Sequence, residues 1–368
     1  MQPKEIKAQI IEKVFLMNRE FGAEFPNITE NGHYVSDNKS FWTKGFWPGI
    51  LWNVYQETKD ETFRNTAIQI ENKLDNVLQD FYPIHHDAGF VWSLTSVANY
   101  KLTGNEMSRR RALTAASHLA GRFNLKGGFI RAWNDTQGKG NQGWAIIDCS
   151  MNLPLLYWAS EETGDPRFRH IAMAHADTVI KEFSKADGST YHIVCFNPET
   201  GVRIGYRSGQ GATEDSAWAR GQSWILYGMA LSYRYTKEAR YLRASVSAAD
   251  FFVNNLPEDA IPYWDFKVPR GKDVPRDTSA AACAACGLLE LAQYVEPKKA
   301  VCYTAWAERM IQALYEKWWL SQTGAHALLG GATFNYPAEK GINVSLIYGD
   351  YFYTEAVMRL AGDSVIFW

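Results

Sequence analysis

Apolar residues recur along this chain at helical spacing. In the opening run Glu5 to Glu20, Ile6, Ile10, Val14 and Met17 fall on one face, as in a helix with one wet side. From there two classes of run alternate. Phe63 to Leu78 and Phe168 to Phe183 are amphipathic in the same way. Asn152 to Ser160 and Ala280 to Leu291 are apolar on more sides and rich in small residues, the pattern of a buried helix. A short breaker separates each buried run from the amphipathic run after it. It reads Glu57-Thr58-Lys59-Asp60-Glu61, then Leu102-Thr103-Gly104-Asn105-Glu106, Glu162-Thr163-Gly164-Asp165-Pro166 and Tyr235-Thr236-Lys237-Glu238-Ala239, with Val295-Glu296-Pro297-Lys298 a looser version. A polar or Gly break before an acidic or Pro start marks a tight connection between antiparallel helices.

The periodicity predicts about twelve helices, alternately outer and inner. Inner helices are expected to begin near Gly45, Gly89, Cys149, Ala217, Thr278 and Gly349. Six such hairpins closing on themselves make an all-α fold, an (α/α)6 barrel; an open solenoid is the structural alternative. No Pro/Gly-rich linker interrupts the chain, which favours one closed domain over residues 1–368. Inner-to-outer connections are short. Most outer-to-inner connections are long: residues 123–147, 184–216, 256–276 and 320–348. They therefore collect on one rim, where sites are built on a rigid scaffold. Residues 191–206 are expected to hold a small β-hairpin turning at Asn197-Pro198-Glu199-Thr200-Gly201.

Composition narrows the class. A formal net charge of -2 over 368 residues leaves no footprint for nucleic acid or an anionic membrane, and no apolar stretch is long enough to span a bilayer. The start, Met1-Gln2-Pro3-Lys4-Glu5, lacks the apolar run of a signal peptide. The five cysteines are odd in number and scattered, which suits a reducing compartment. A cytoplasmic protein is expected, or a periplasmic one if a leader has been removed. Cys283 and Cys286 have the spacing of a metal pair, but they sit in a small-residue run with no second pair, so close helix packing is expected there. The chain holds 14 Trp, 19 Tyr and 19 Phe, many of them beside polar residues in the rim loops, and such faces suit sugar rings.

Two aspartates stand out, Asp87 in His85-His86-Asp87-Ala88-Gly89-Phe90 and Asp148 in Ile146-Ile147-Asp148-Cys149-Ser150-Met151-Asn152. Each lies where a polar, aromatic loop turns into an apolar helix, a setting in which a carboxyl can serve general acid–base catalysis. The plain alternative is that both are helix N-caps. Asp215, Asp277 and Asp350 fall on the same rim. Around them stand Trp42, Trp47, Arg131, Trp133, His192, Gln210, Arg220 and Trp224. Aromatic platforms interleaved with Arg, Gln and His suit a polyhydroxylated anionic ligand, with Arg matched to a carboxylate. Taken alone, Trp47 reads as core and Arg220 equally as a buried ion-pair member. His85 and His86 have no third metal ligand at characteristic spacing, so no metal site is expected, and no Gly-rich dinucleotide motif appears, so no cofactor is expected.

Seven motifs together resemble the unsaturated glucuronyl hydrolases of glycoside hydrolase family 88. They are Trp42-Thr43-Lys44-Gly45-Phe46-Trp47-Pro48-Gly49, His85 to Phe90, Ile146 to Pro154, Asp215 to Gln222, Tyr263-Trp264-Asp265-Phe266, Arg276-Asp277-Thr278-Ser279 and Gly349-Asp350-Tyr351-Phe352-Tyr353. The resemblance implies the (α/α)6 barrel and a substrate bearing a 4,5-unsaturated uronic acid at its non-reducing end, as polysaccharide lyases leave behind. It implies hydration of the C4–C5 double bond, then ring opening and loss of the glycosidic bond. By motif, Asp148 matches the acid/base and Asp87 the second essential carboxylate, which binds the sugar. Trp42, His86, Trp133, His192, Gln210, Arg220 and Trp224 match positions lining the substrate pocket. There are departures. Trp144 stands where the family pattern has Arg, which predicts a more apolar approach to Asp148, and Lys44 replaces a small polar or acidic residue. In the last long loop a Ser-x-x-Ser-x-Lys pattern goes with sulfated substrates. Here Asn335 and Ala338 replace both serines and only Lys340 remains, which argues against a sulfate preference.

The expected partner is thus an unsaturated uronic-acid-terminated oligosaccharide, with neither nucleic acid nor membrane, and a monomer or weak homodimer. Besides a sugar epimerase on the same barrel, which would be expected to use central His pairs, two rivals stand beside this reading. One is an unsaturated rhamnogalacturonyl hydrolase acting on pectin fragments, with the same chemistry and different outer loops. The other is a non-catalytic sugar-binding barrel, against which the paired aspartates argue.

Overall fold

The structure is a computed structural model that describes residues 2–36, 41–80, 82–135, 138–320, 326–363 and 367–368. Met1, read above for a leader, and residues 321–325 of the long connection 320–348 lie outside them. The outer helices are α1 (Pro3–Phe21), α3 (Glu61–Lys73), α5 (Glu106–Ala120), α7 (Pro166–Thr178, continued by a π turn Val179–Phe183), α9 (Ala239–Asn254) and α11 (Pro297–Trp318). The inner helices are α2 (Phe46–Thr58), α4 (Ala88–Trp92, Ser93–Val97 and Ala98–Thr103 run together, the middle turn π), α6 (Leu153–Thr163), α8 (Ala219–Thr236), α10 (Thr278–Leu291) and α12 (Ile347–Leu360).

Burial follows the pattern read from the chain. In α1 the buried residues are the single stripe Ile6, Ile10, Val14 and Met17. In α10 every residue but Leu289 is buried. Each inner helix packs on the next, α2 on α4, then α6, α8, α10 and α12, and α12 returns to α2. Each outer helix packs against two neighbouring inner ones, α1 bridging α12 and α2. The ring is closed, so the architecture is the (α/α)6 barrel and the open solenoid is excluded.

The recurring breaker is one repeated device. Thr58, Thr103, Thr163 and Thr236 turn their hydroxyls back onto the carbonyls four residues earlier, at 2.9, 2.8, 2.6 and 2.7 Å. The next residue, Lys59, Gly104, Gly164 or Lys237, is left-handed and ends the helix. Asp60, Asn105 and Asp165 then cap the following outer helix with their side chains.

The rim carries more β structure than the single hairpin expected. That hairpin is β6 (Ile193–Phe196) with β7 (Arg203–Arg207), and β5 (Trp144–Ile146) joins it as a third strand. Three two-stranded pairs accompany it: β1 (Pro26–Glu30) with β2 (His33–Ser36), β3 (Phe123–Asn124) with β4 (Phe129–Ile130), and β8 (Ala332–Asn335) with β9 (Lys340–Val344). The five cysteines are free, Cys283 and Cys286 buried within α10. No helix among the described residues is long and apolar enough to cross a membrane.

Candidate active site

The capping alternative separates cleanly from the chemical one. Asp277 caps α10, accepting from the Ser279 and Ala280 amides at 3.1 and 3.4 Å. Asp350 accepts from the Leu328 and Leu329 amides and the Tyr34 hydroxyl at 2.9, 3.0 and 2.8 Å, and burial still raises its pKa to about 6. Asp215 is exposed and pairs with Lys185 at 3.0 Å. Asp87 and Asp148 do neither job. Asp87 occupies the N-cap of α4 with no side-chain cap bond. Asp148 lies in the first turn of the 3-10 segment Ile147–Met151 that leads into α6, also without one.

Asn152 joins the two. Its amide group donates to Asp87 Oδ1 at 3.2 Å and to the Asp148 carbonyl at 3.1 Å, while its oxygen accepts from the Phe90 amide at 2.7 Å. The approach is so close that a Cβ on Gly89 would stand 2.5 Å from the Asn152 Cα. Glycine at that position lets the starts of α4 and α6 meet.

His86 fixes the proton inventory. Its Nδ1 is 2.9 Å from the Ala132 carbonyl, which can only accept, so Nδ1 carries hydrogen. Arg122 donates to the same carbonyl at 3.1 Å and holds it in place. His86 Nε2 then faces Asp87 Oδ1 at 3.1 Å, off the ideal hydrogen-bond line. A lone pair against a carboxylate would repel, so one proton lies between them: either an imidazolium beside a carboxylate or an imidazole beside a carboxylic acid. Burial raises the Asp87 pKa, with the Asp148 charge adding and His86 and Asn152 opposing. Burial works against protonation of His86, but the Asp87 charge and hydrogen bond win and its pKa is raised. His85 Nδ1 comes within 3.3 Å of Asp87 Oδ2, and burial, His86 and Arg122 push His85 well below its usual value. A third ligand-type group does therefore join the two histidines, contrary to the expectation from spacing: His85, His86 and Asp87 gather their donor atoms within 4.8 Å. It escaped notice because Asp87 is their sequence neighbour and the folded loop turns all three inward.

Asp148 has a histidine of its own. His192 Nδ1 meets both the Gln210 amide, which donates towards it at 2.8 Å, and the Ser208 carbonyl at 3.1 Å, and the ring turns Nε2 to the carboxylate. That nitrogen is 3.5 Å from Asp148 Oδ2, and neither atom has a hydrogen-bond partner. Gly209 (φ +57°) makes this possible, since a Cβ there would sit 2.3 Å from His192 Nδ1. His192 lies against Trp218 with ring centroids 4.3 Å apart.

The other expected residues fall around this pair. Trp42 packs on Tyr348 at 4.6 Å, and Trp133 turns its edge to His86 at 5.6 Å. Arg220 is 1% exposed, and its guanidinium is already engaged. It binds Asp277, donates to the Thr333 and Phe334 carbonyls at 2.8 and 2.7 Å and to Gln210 Oε1 at 3.0 Å, and lies 4.6 Å from the centre of the Trp218 ring. Arg220 thus anchors the β8–β9 hairpin, on which Lys340 is exposed. Trp224 is fully buried against Phe90 and Phe352, so it belongs to the barrel core. The approach beside Trp144 is less apolar than its sequence suggests, because the exposed Arg207 of β7 lies 4.3 Å from that ring's centre. Sequence reasoning did not single out Asn152, Trp218, Tyr348 or Arg207 as site residues. Asn152 and Trp218 stood inside motifs already noted, while Arg207 reaches Trp144 only through the β5–β6–β7 sheet.

Comparison with known proteins supplies the family. The family model for Glycosyl Hydrolase Family 88 matches residues 16–325. The chain is 37% identical over 356 residues to the unsaturated glucuronyl hydrolase of Bacillus sp. (strain GL1), covering 95% of this chain and 94% of that one. It is 37% identical over 355 residues to the unsaturated chondroitin disaccharide hydrolase of Streptococcus pyogenes serotype M1, covering 95% and 88%. The crystal structure of the Bacillus sp. GL1 enzyme superposes with a TM-score of 0.92 at 36% identity, over 98% of this chain and 96% of that one. This chain, a glycosidase, belongs to glycoside hydrolase family 88.

Proposed function

We propose that this enzyme removes the 4,5-unsaturated uronic acid from the non-reducing end of oligosaccharides released by polysaccharide lyases. The observation that carries the reading is the pair of uncapped aspartates at the starts of adjacent inner helices, tied by Asn152. An enol-ether double bond is hydrated by putting a proton on C4 and a water oxygen on C5. Asp148, with one oxygen unpartnered, gives its proton to C4, and the attacking water returns a proton to it. Asp87, held by His86 and Asn152, binds the sugar. The product at C5 is a hemiketal, which opens the ring to a 5-keto sugar and leaves a hemiacetal at C1 that releases the rest of the oligosaccharide. No step needs an oxidant or a nucleophilic side chain, unlike ordinary glycoside hydrolysis by a paired nucleophile and acid. The exposed Arg207 beside Trp144, together with Trp42, Trp133 and Trp218, suits a flat, anionic sugar.

The test is a panel of unsaturated disaccharides differing in sulfation and linkage, followed by loss of the near-ultraviolet absorbance of the double bond. The absorbance should fall as the reducing-side sugar is released; binding without absorbance loss on every substrate would end the reading. With Asn335 and Ala338 in place of both serines, an unsulfated disaccharide is expected to turn over faster than one sulfated on the reducing-side sugar. The reverse order would show that Lys340 alone recognises sulfate.

A further inference from the structure

We propose that Glu20, His33 and His326 form a binding site for a divalent transition cation of the zinc class on the outer rim, away from the catalytic pair. The donor atoms converge: Glu20 Oε1 is 2.6 Å from His326 Nδ1, His326 Nδ1 is 3.1 Å from His33 Nδ1, and all three lie within 4.8 Å of one another. Each of these atoms offers a lone pair. One proton on His326 Nδ1 serves Glu20 and leaves two imidazole nitrogens facing each other. A cation between them satisfies all three at once. Zinc held at about 2.1 Å in a tetrahedron sets its ligands about 3.4 Å apart. The His33–His326 separation is already close to that, and the Glu20 contact opens by less than about an ångström. Water fills the fourth position, and the His326 hydrogen moves to Nε2.

The three ligands come from three separately fixed elements. Glu20 is in the last turn of α1. His33 opens β2 directly after the tight turn Asn31-Gly32, both with positive φ, and pairs with Glu30. That is the two-residue hairpin turn that Asn-Gly favours. His326 sits two residues before Leu328, whose amide, like that of Leu329, is held by Asp350. Phe21 packs edge-on beneath, 5.9 Å from both His326 and Tyr34. The ligands are therefore placed before any metal arrives. A bound ion would tie the connection that carries Trp42 to the connection whose β8 strand is held by Arg220. Two walls of the pocket would then share one clasp.

The test uses the full-length, tag-free protein stripped with a chelator, titrated with cobalt(II) chloride and then zinc chloride. One equivalent of cobalt should give the ligand-field absorption of a tetrahedral site, and zinc should displace it. Zinc should also raise the melting temperature. The double variant His33→Ala/His326→Ala should lose both effects while melting like the wild type without metal. His33→Gln alone should weaken zinc binding at least about tenfold. Absence of any binding overturns the proposal. So does an undiminished cobalt spectrum in the double variant, which would put the ion elsewhere, for example at His85 and His86.

Discussion

Asp87 and Asp148 hold equivalent places on neighbouring hairpins, and the barrel treats them differently. Asp87 has 8% of its side chain exposed and is met by His85, His86 and Asn152. Asp148 has 15% exposed, keeps an unpartnered oxygen, and meets His192 only at 3.5 Å. A carboxyl held by His86 and Asn152, with the neutral His85 against it, is a fixed point against which a sugar can be placed. A carboxyl with a free oxygen and a loosely aligned partner can pass a proton out and take one back. The contrast comes from the local chain. His85 and His86 adjoin Asp87 in one tight loop, whereas the partner of Asp148, His192, arrives from the residue before β6, far away in the chain.

The largest expected effect tests the mobile side. Asp148→Asn keeps the shape and removes the transferable proton, so kcat should fall by about 10²–10⁴-fold with KM largely kept. Steady-state kinetics on an unsaturated disaccharide reads this directly. Near-normal turnover would move the acid role to Asp87 and reverse the comparison. Next comes the fixed side. Asp87→Asn should lower kcat by about ten- to a hundredfold and raise KM as well, because that group both holds the sugar and organises His86. A pure kcat loss with unchanged KM would mean that Asp87 does not hold the substrate.

The same contrast explains what could be read beforehand. The twelve barrel helices were legible because burial imposes a 3.6-residue period on each segment independently. Thus Ile6, Ile10, Val14 and Met17 announce α1 without reference to anything else. Asp87 and its two histidines were legible as a motif for a similar reason, being adjacent in the chain, but their convergence was not. The partners of Asp148 were harder. β5 and β6 lie far apart in sequence, and a three-residue strand such as Trp144–Ile146 leaves no alternation to detect. Arg207 reaches Trp144 only after that pairing forms. The roles of Arg220 and Trp224 depended on burial, which residue type does not reveal: a forked cation in a Trp-rich motif reads equally as a ligand contact or an ion-pair member, and here it is bound by Asp277 and two carbonyls. The Asn31-Gly32 hairpin carried a readable signal that the helical pattern overshadowed.

A smaller effect probes how His192 is held against Asp148. Gly209→Ala adds a Cβ 2.3 Å from His192 Nδ1 at a positive φ, so the ring must shift. The variant should lose about tenfold in kcat, together with about 1 kcal/mol of stability from the left-handed alanine. Gly205→Ala, where a Cβ meets nothing within 4 Å, is the control on the same rim. If Gly209→Ala displaces His192 in a crystal structure yet turns over normally, His192 does not position Asp148, and the likeness between the two acid–histidine pairs is superficial.

The finest test asks whether Asp87 and His86 share one proton. In the unfolded chain an aspartate gives up its proton near about 3.9 and a histidine near about 6.5. Both values are raised in the fold: Asp87 chiefly by burial, and His86 by the Asp87 charge and hydrogen bond acting against burial. A group with a raised folded value binds more protons folded than unfolded. Its contribution to stability is therefore complete below the unfolded value and is lost as pH climbs through the folded one. The two groups titrate as a coupled pair, so the melting temperature should decline as pH rises above the ordinary aspartate range and again above the ordinary histidine range. Asp87→Asn removes one titrating group and the charge that supports the other. Burial then dominates at His86, whose Hε1 resonance should titrate at lower pH than in the wild type, and the second decline should flatten. A His86 midpoint that stays in place would show that its proton is held by the Ala132 carbonyl side alone. Asp87 would then be an isolated buried acid, and no longer half of a pair.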